Sequence, residues 1–464
     1  MTFINFTKVL QSKYLMMKSI IFILFSSLFV FCSSNSGEDD SKVAPKVVSI
    51  SPINGATEIP VSTIIKIDFN KPVKISDNPQ ILVNGTVHTG YINDKCLSIM
   101  PTLEIGMPYD ILVKKPTITD LYGNAAEDIA FSFSTETILP GFDIEAFNIK
   151  SNLCIPNPTP EAINVYNFLC DNFGKKIVSG IMANVGWNWD EAKWVYNKTG
   201  KWPALHGFDY IHLAWEPANW NDYTDMSYIE DWWQANGLVS CMWHWNVPKN
   251  GVDNRPNDMA FYTDDTNFDI TKALTEGTFE KSIIDADLAK ITDYLKLVHA
   301  KNIPVLWRPL HEASGGWFWW GSKGPEACKA LWRYMFEYFQ NEGLNNLIWI
   351  WTMEENDADW YPGDEYVDII GRDYYPQSNI HASMISRFNN LKNITGGKYI
   401  IALSECGGIP DPSKMYSEGD MWSWFMPWYG NFTRDNNQNG DYWETVLNHP
   451  LVITRDQMPN LKNQ

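Results

Sequence analysis

The sequence predicts an α/β chain, a (β/α)8 TIM barrel over residues 142–460 behind a small all-β sandwich over residues 45–137. Three observations predict it. In the larger part, short apolar runs of strand length alternate with amphipathic stretches, the pattern of repeated βα units. In the smaller part, apolar and polar residues alternate with period two between Gly, Pro and Asn punctuation. An open doubly wound sheet would usually carry a Gly-rich phosphate turn after its first strand, and none is present. A chain of 464 residues has room for two folded units. Its formal charge of −19 argues against nucleic acid, which needs clustered Lys and Arg. The 22 Trp are more than a core asks for and suggest rings laid against a flat ligand.

The N-terminus reads as an export signal. Lys13 and Lys18 flank Met16 and Met17, and the apolar run IIFILFSSLFVF, Ile20 to Phe31, comes next. Such a run has the length of a signal core and is too short to span a bilayer comfortably. Residues 1–31 are therefore assigned to the signal segment, with Met16 or Met17 as alternative starts, and residues 32–44 to an acidic, polar linker. The run resembles a bacterial lipoprotein signal in which Cys32 becomes the lipidated first residue, and Phe31 departs from the small residue normal before that cysteine. The resemblance implies an exported protein held at the outer membrane or cell surface by a lipid on Cys32, and a monomer is expected. Periplasmic or secreted release is the alternative.

Between residues 45 and 137 the segments VVSISP, STIIKIDFNKPV, CLSIMPT, YDILVKKP and AFSFSTE make the sandwich. SPINGATEIPVSTIIKIDFNKPV resembles a bacterial Ig-like module. The segment contains no Trp, which favours a spacer over a carbohydrate-binding role. Six cysteines besides Cys32 are scattered without a CxxC pair, so no zinc site or dense disulfide framework is indicated, and Cys154 with Cys170 is the one candidate bridge.

Eight strand runs are expected in the barrel, at 176–182, 203–209, 237–245, 303–312, 346–351, 367–375, 399–406 and 421–428, with a helix at 326–340 between the fourth and fifth. A barrel of this kind places its site at the C-terminal strand ends. Those ends carry His206 and Asp209, Trp243 and His244, Arg308, His311 and Glu312, Asp373, Tyr374 and Tyr375, Glu405, and Trp424 and Trp428. His206 and Asp209 are expected to buttress the site, and Arg308 to pair with an interior carboxylate and lower its pKa. Two glutamates on facing strands among aromatics suit glycosidic bond cleavage, one donating a proton and the other attacking the anomeric carbon. A zincin would need a second His four residues after His311, where Gly315 stands, so no metal is called for.

RPLHEASGGWFWWG (308–321), LSECGGIP (403–410) and VDIIGRDYY (367–375) together resemble glycoside hydrolase family 26, mostly β-mannanases, across residues 145–455. The resemblance implies Glu312 as general acid/base, Glu405 as nucleophile and Tyr375 as the residue orienting it. It also implies His311 beside the site and His244 and Trp317 at the sugar, and the strand-end residues Arg308 and Trp428 are added to these as substrate-binding candidates. Trp319 and Trp320 are divided evenly between pocket and packing, and Trp424 and Trp428 between core and pocket floor. The family often carries an aromatic shortly after the nucleophile. Here that position is Pro410, which bears on preference at the cleavage point. The implied activity is retaining endo-β-1,4-mannanase on mannan, glucomannan or galactomannan, with no cofactor. The alternatives are mannobiose release from chain ends, β-1,3-xylanase or mixed-linkage glucanase, and, further off, a non-catalytic glycan-binding lipoprotein or an adhesion module built on the Ig-like unit.

Overall fold

The computed structural model describes residues 42–60, 63–103, 107–135, 141–355 and 357–462. The signal segment, Cys32, most of the acidic linker and the ETILP segment at 136–140 lie outside the described residues. Among the described residues no helix is long and apolar enough to cross a membrane.

The first part is a β-sandwich. One sheet joins Val47–Ser51, Ile65–Phe69, Cys96–Ile99 and Gly90–Asn93, and a second is built around Pro108–Val113 and Ile129–Thr135. Alternation decides which side chains go inside. In Ile65–Phe69 the residues Ile65, Ile67 and Phe69 are buried while Lys66 is exposed, and in Pro108–Val113 the same holds for Tyr109, Ile111 and Val113. These side chains join Leu97, Ile99, Phe131 and Phe133 in a core of their own.

The larger part closes into a barrel of eight parallel strands: β1 Ile177–Met182, β2 Leu205–Asp209, β3 Leu238–Met242, β4 Val305–Arg308, β5 Leu347–Thr352, β6 Ile369–Tyr374, β7 Ile401–Cys406 and β8 Trp424–Pro427. β1 pairs with β2 on one side and β8 on the other, which completes the ring. Strands β1, β2, β3, β5 and β7 are buried along their whole length. Interior side chains cover one face and helices the other, so these runs are mainly apolar without alternating, and the polar residues they carry, such as Asp209 and Glu405, are buried too. The expected strands are all present, shorter in every case but the fifth, which keeps its length and shifts by one residue to Leu347–Thr352. The run at 303–312 ends its ladder at Arg308, so Glu312 stands beyond the strand rather than on it.

Helices Pro160–Asn172, Asp190–Thr199, Ser227–Gln234, Phe279–His299, Pro325–Asn341, Ile385–Thr395, Pro412–Glu418 and Asp441–Leu447 surround the ring. The one at Pro325–Asn341 matches expectation, starting on a proline and burying Leu331, Trp332, Met335 and Phe339 on one face. Between β5 and β6 the described residues form only short 3-10 turns, at Ala358–Trp360 and Asp364–Tyr366. Cys154 and Cys170 are free thiols, so the candidate bridge does not form. Cys154 is instead half-buried beside the Asp368 carboxylate.

Candidate active site

Glu312 is delivered by a strained turn. Leu310 and Glu312 have φ of 49° and 53°, in the left-handed region that costs a side-chain-bearing residue energy. The Ala313–Gly315 turn comes next and ends on Gly316 at φ 70°. The glycine pair has two separate jobs. Gly316 takes the positive φ, while a Cβ on Gly315 would land on the six-membered ring of Trp317. The four aromatics then divide. Trp317 is 44% exposed and its indole Nε1 donates to Glu312 Oε2 at 2.8 Å. Trp319 and Trp320 are fully buried, donating to the carbonyls of Trp245 (2.7 Å) and His311 (2.9 Å). Their even division between pocket and packing resolves to packing. Thr263 braces the run from outside, with its N–H on the Trp317 carbonyl and its hydroxyl on the Gly316 carbonyl, both at 2.8 Å.

Glu405 is set by a register shift. Arg372 pairs with Leu403 but Asp373 pairs with Glu405, so β7 bulges at Ser404, whose hydroxyl donates to Asp373 at 2.7 Å. A bulge re-aims the side chain beside it. The Glu405 carboxylate accepts from the Tyr375 hydroxyl at 2.7 Å and from the Arg308 guanidinium. Arg308 also donates to Asp373 at 2.7 Å. Glu312, Asp373 and Glu405 each bring one carboxylate oxygen within 4.8 Å of the others'.

The two glutamates differ electrostatically. Burial first, then the charges of Asp373, Glu405 and Glu354, hold the Glu312 carboxyl well above the usual range. Burial and Asp373 push Glu405 up to about 7, against the downward pull of Arg308 and Tyr375. Those two donors touch Glu405 directly, whereas Glu312 receives one indole N–H, so Glu405 gives up its proton first. Tyr375 itself stays a phenol, because burial and the Glu405 charge raise it far above its ordinary value.

Around this pair the expected residues find different places. His244 donates its backbone N–H to Asp209 at 3.0 Å and sets ring Nδ1 against the same carboxylate at 2.6 Å, so Asp209 is the buttress expected of it. That contact leaves Nε2 of His244 as the ring nitrogen free to meet a ligand. Trp428 is half-buried across from it, ring centroids 5.9 Å apart. His206 is not at the site. It points outward from β2, fully buried against Trp232 of the Ser227–Gln234 helix, and burial drives its pKa down to about 3. Trp424 is core, as is Trp243, which stacks on Trp245 at 4.0 Å. Tyr374 lies under the Arg387 guanidinium, 3.8 Å from its ring centre.

Two substrate-binding expectations change. Arg308 is 1% exposed and reaches carboxylates, not the cleft surface, so its task is to hold Glu405 ionised. His311 is equally buried, its ring 4.7 Å from that of His244 and 5.0 Å from that of Phe318. It backs His244, and burial with Arg308 nearby keeps it neutral.

Sequence reasoning passes over the end of β5. There Glu354, Asp357 and Trp360, with Arg372 of β6, line a cleft of about 480 Å3 that also takes in Ser314 and Trp317. The acidic run MEENDADW, directly after an apolar strand, is the signal that points to it.

The sequence model described as glycosyl hydrolase family 26 matches residues 154–457. The chain belongs to glycosyl hydrolase family 26. In this family 26 chain, residues 41–135 match the bacterial Ig-like domain. Mannan endo-1,4-beta-mannosidase A of Piromyces sp. is 36% identical over 324 residues, covering 67% of this chain and 51% of that protein. The chain thus spans about half the length of that relative. Among solved structures, the family 26 domain of an endo-beta-mannanase/endo-beta-glucanase from Prevotella bryantii is 36% identical with a TM-score of 0.61, covering 68% of this chain and 100% of that one. A beta-mannanase from a symbiotic protist of the termite Reticulitermes speratus, solved with a gluco-manno-oligosaccharide, is 38% identical with a TM-score of 0.61, covering 68% and 99%.

Proposed function

We propose that the protein is a retaining endo-β-1,4-mannanase acting on mannan, glucomannan or galactomannan. The observation that carries the reading is the approach of Glu312 and Glu405 to within 4.8 Å in unlike surroundings. Carboxyls this close leave no room for a water between nucleophile and sugar, the spacing of double displacement rather than inversion. Glu312, protonated, gives its proton to the glycosidic oxygen. Glu405, ionised and held by Arg308 and Tyr375, attacks the anomeric carbon and forms a glycosyl ester. Glu312, now a carboxylate, takes a proton from the water that releases the sugar. Two carboxylates and one water supply every proton and bond this sequence needs.

Mannan as substrate is supported by the names of the relatives, and export by the N-terminal sequence with its lipidation cysteine at Cys32. The Ig-like unit serves in this reading as a spacer. Mannohexaose, xylan and mixed-linkage glucan offered separately test the substrate. Oligosaccharide products from mannohexaose are expected, and release from xylan or glucan alone would reject the mannanase reading within the family.

A further inference from the structure

The segment between β3 and the Phe279–His299 helix, residues 243–278, is a strap clasped onto the chain that follows Glu312. Its strands Val247–Pro248 and Met259–Ala260 pair antiparallel, so the strap runs out and back. The returning arm grips the run around Phe318 from both sides. Thr263 takes the carbonyls of Trp317 and Gly316, and the Trp319 N–H donates to the Phe261 carbonyl at 3.1 Å. Between these bonds Tyr262 and Phe318 form an antiparallel bridge and stack, ring centroids 5.6 Å apart. The Trp319 indole reaches the outgoing arm at the Trp245 carbonyl, 2.7 Å away. Trp317, whose indole holds Glu312, is inside this grip.

The strap is rooted at Asp287. This carboxylate of the Phe279–His299 helix is 6% exposed, and its Oδ2 accepts the Arg255 guanidinium at 2.6 Å and the Trp245 indole at 2.7 Å. Arg255 lies between the two strands of the strap, where its Nε and Nη2 grip Asp253 at 2.9 Å each and its Nη1 also donates to the Asn246 carbonyl at 3.1 Å. Asn246 in turn donates to the Ile211 carbonyl beyond β2 at 2.9 Å. One guanidinium thus ties the middle of the strap to its outgoing arm and to the helix. Charge-assisted bonds of this kind fix geometry, and the buried carboxylate is costly without its cation. The turn that carries Glu312 needs such bracing, because the positive φ of Leu310 and Glu312 persists only where the surroundings enforce it. We propose that Arg255 and Asp287 are positioning residues for the proton donor: by fixing the strap they hold the Glu312 turn in its strained form and Trp317 against its carboxyl. The inference rests on the glycosidase reading above and adds what keeps its acid in place.

Two aryl β-mannobiosides, dinitrophenyl and plain phenyl, test this in the full chain, because a dinitrophenolate leaves with little protonation and a phenolate does not. Arg255→Gln should lower kcat/KM on the phenyl substrate at least about tenfold more than on the dinitrophenyl one. A strap that served stability alone would cost both substrates the same. Thr263→Val removes one hydroxyl from the returning arm at nearly constant shape, and should move the ratio the same way by about two- to tenfold, the range of a single hydrogen bond. Equal losses on the two substrates in Arg255→Gln, or no loss, would overturn the proposal. If that variant does not fold, Thr263→Val decides by the same ratio. If the unaltered enzyme cleaves aryl glycosides of xylan or glucan type but no mannoside, the mannanase reading fails, and the ratio is read on those glycosides. If it cleaves none of them, both readings fall.

Discussion

The ends of β4 and β7 bring a glutamate each to one space, and their supports differ in kind. Glu405 lies at the end of β7, beside a bulge, and is gripped by a guanidinium and a phenol that themselves belong to a buried lattice with Asp373 and Ser404. Glu312 hangs four residues past the end of β4 on a strained turn, touched by one indole N–H. A carboxylate that must stay ionised in a buried place needs a cation and donors, whereas one that must keep its proton needs burial and neighbouring negative charge. Placement therefore separates two chemically identical side chains into a nucleophile and an acid.

The largest effects should come from removing each partner and comparing substrates. Glu405→Ala should lower kcat on the order of 10⁴-fold on all substrates, because the covalent step is lost. Glu312→Ala should match that loss on mannan but be far milder in the first step on an activated aryl mannoside, whose phenolate leaves with little protonation. Equal losses of both variants on the activated substrate would exchange or dissolve the roles. Arg308→Leu comes next. It leaves Glu405 and Asp373 buried without their cation, a loss of about 3–5 kcal/mol of stability by denaturant unfolding if both stay charged. The folded remainder should have its acid limb of kcat/KM moved to higher pH. A variant as stable as the parent with an unmoved limb would show that Arg308 is not what holds Glu405 ionised.

Tyr375→Phe is smaller. A hydrogen bond to a charged group contributes about 1.5–3 kcal/mol, which corresponds to about 10–100-fold in kcat if it strengthens at the nucleophile. The lost donor had pulled Glu405 down, so the acid limb should again rise. The smallest effect is on stability. Glu312 is held above its ordinary range, so between about pH 4 and its folded value the native state holds a proton the unfolded chain has released, and stability falls as pH rises. Glu312→Gln removes that penalty. Its melting temperature should exceed the parent's by a few degrees at pH 8 (about 2–4 °C for ~1 kcal/mol) and by almost nothing at pH 4. An equal gain at both pH values would point to packing instead of charge.

How legible the site is in the sequence depends on which physical signal carries each residue. Strand runs and the Glu312 and Glu405 motifs stand out because burial on both faces and a strand-end glutamate leave marks in local sequence. His206 misleads, because period two sends it outward from β2 while Asp209 is the strand-end residue that braces His244. Trp319 and Trp320 cannot be separated from Trp317 by composition. Only the turn geometry set by Gly315 and Gly316 turns one ring out and two in. Arg308 suits both a partner for an interior carboxylate and a substrate ligand, and only three-dimensional depth tells these apart. The Glu354–Asp357–Arg372 cluster joins two strand ends, so the acidic run after β5 marks only part of it, and the fold is what brings Arg372 of β6 against Glu354.

Hydrolysis of mannohexaose followed by proton NMR from the first seconds tests the central claim most directly. The account predicts that new reducing ends appear first as the β-anomer and drift to the equilibrium mixture afterwards. The α-anomer appearing first would contradict a nucleophilic Glu405 within 4.8 Å of the acid.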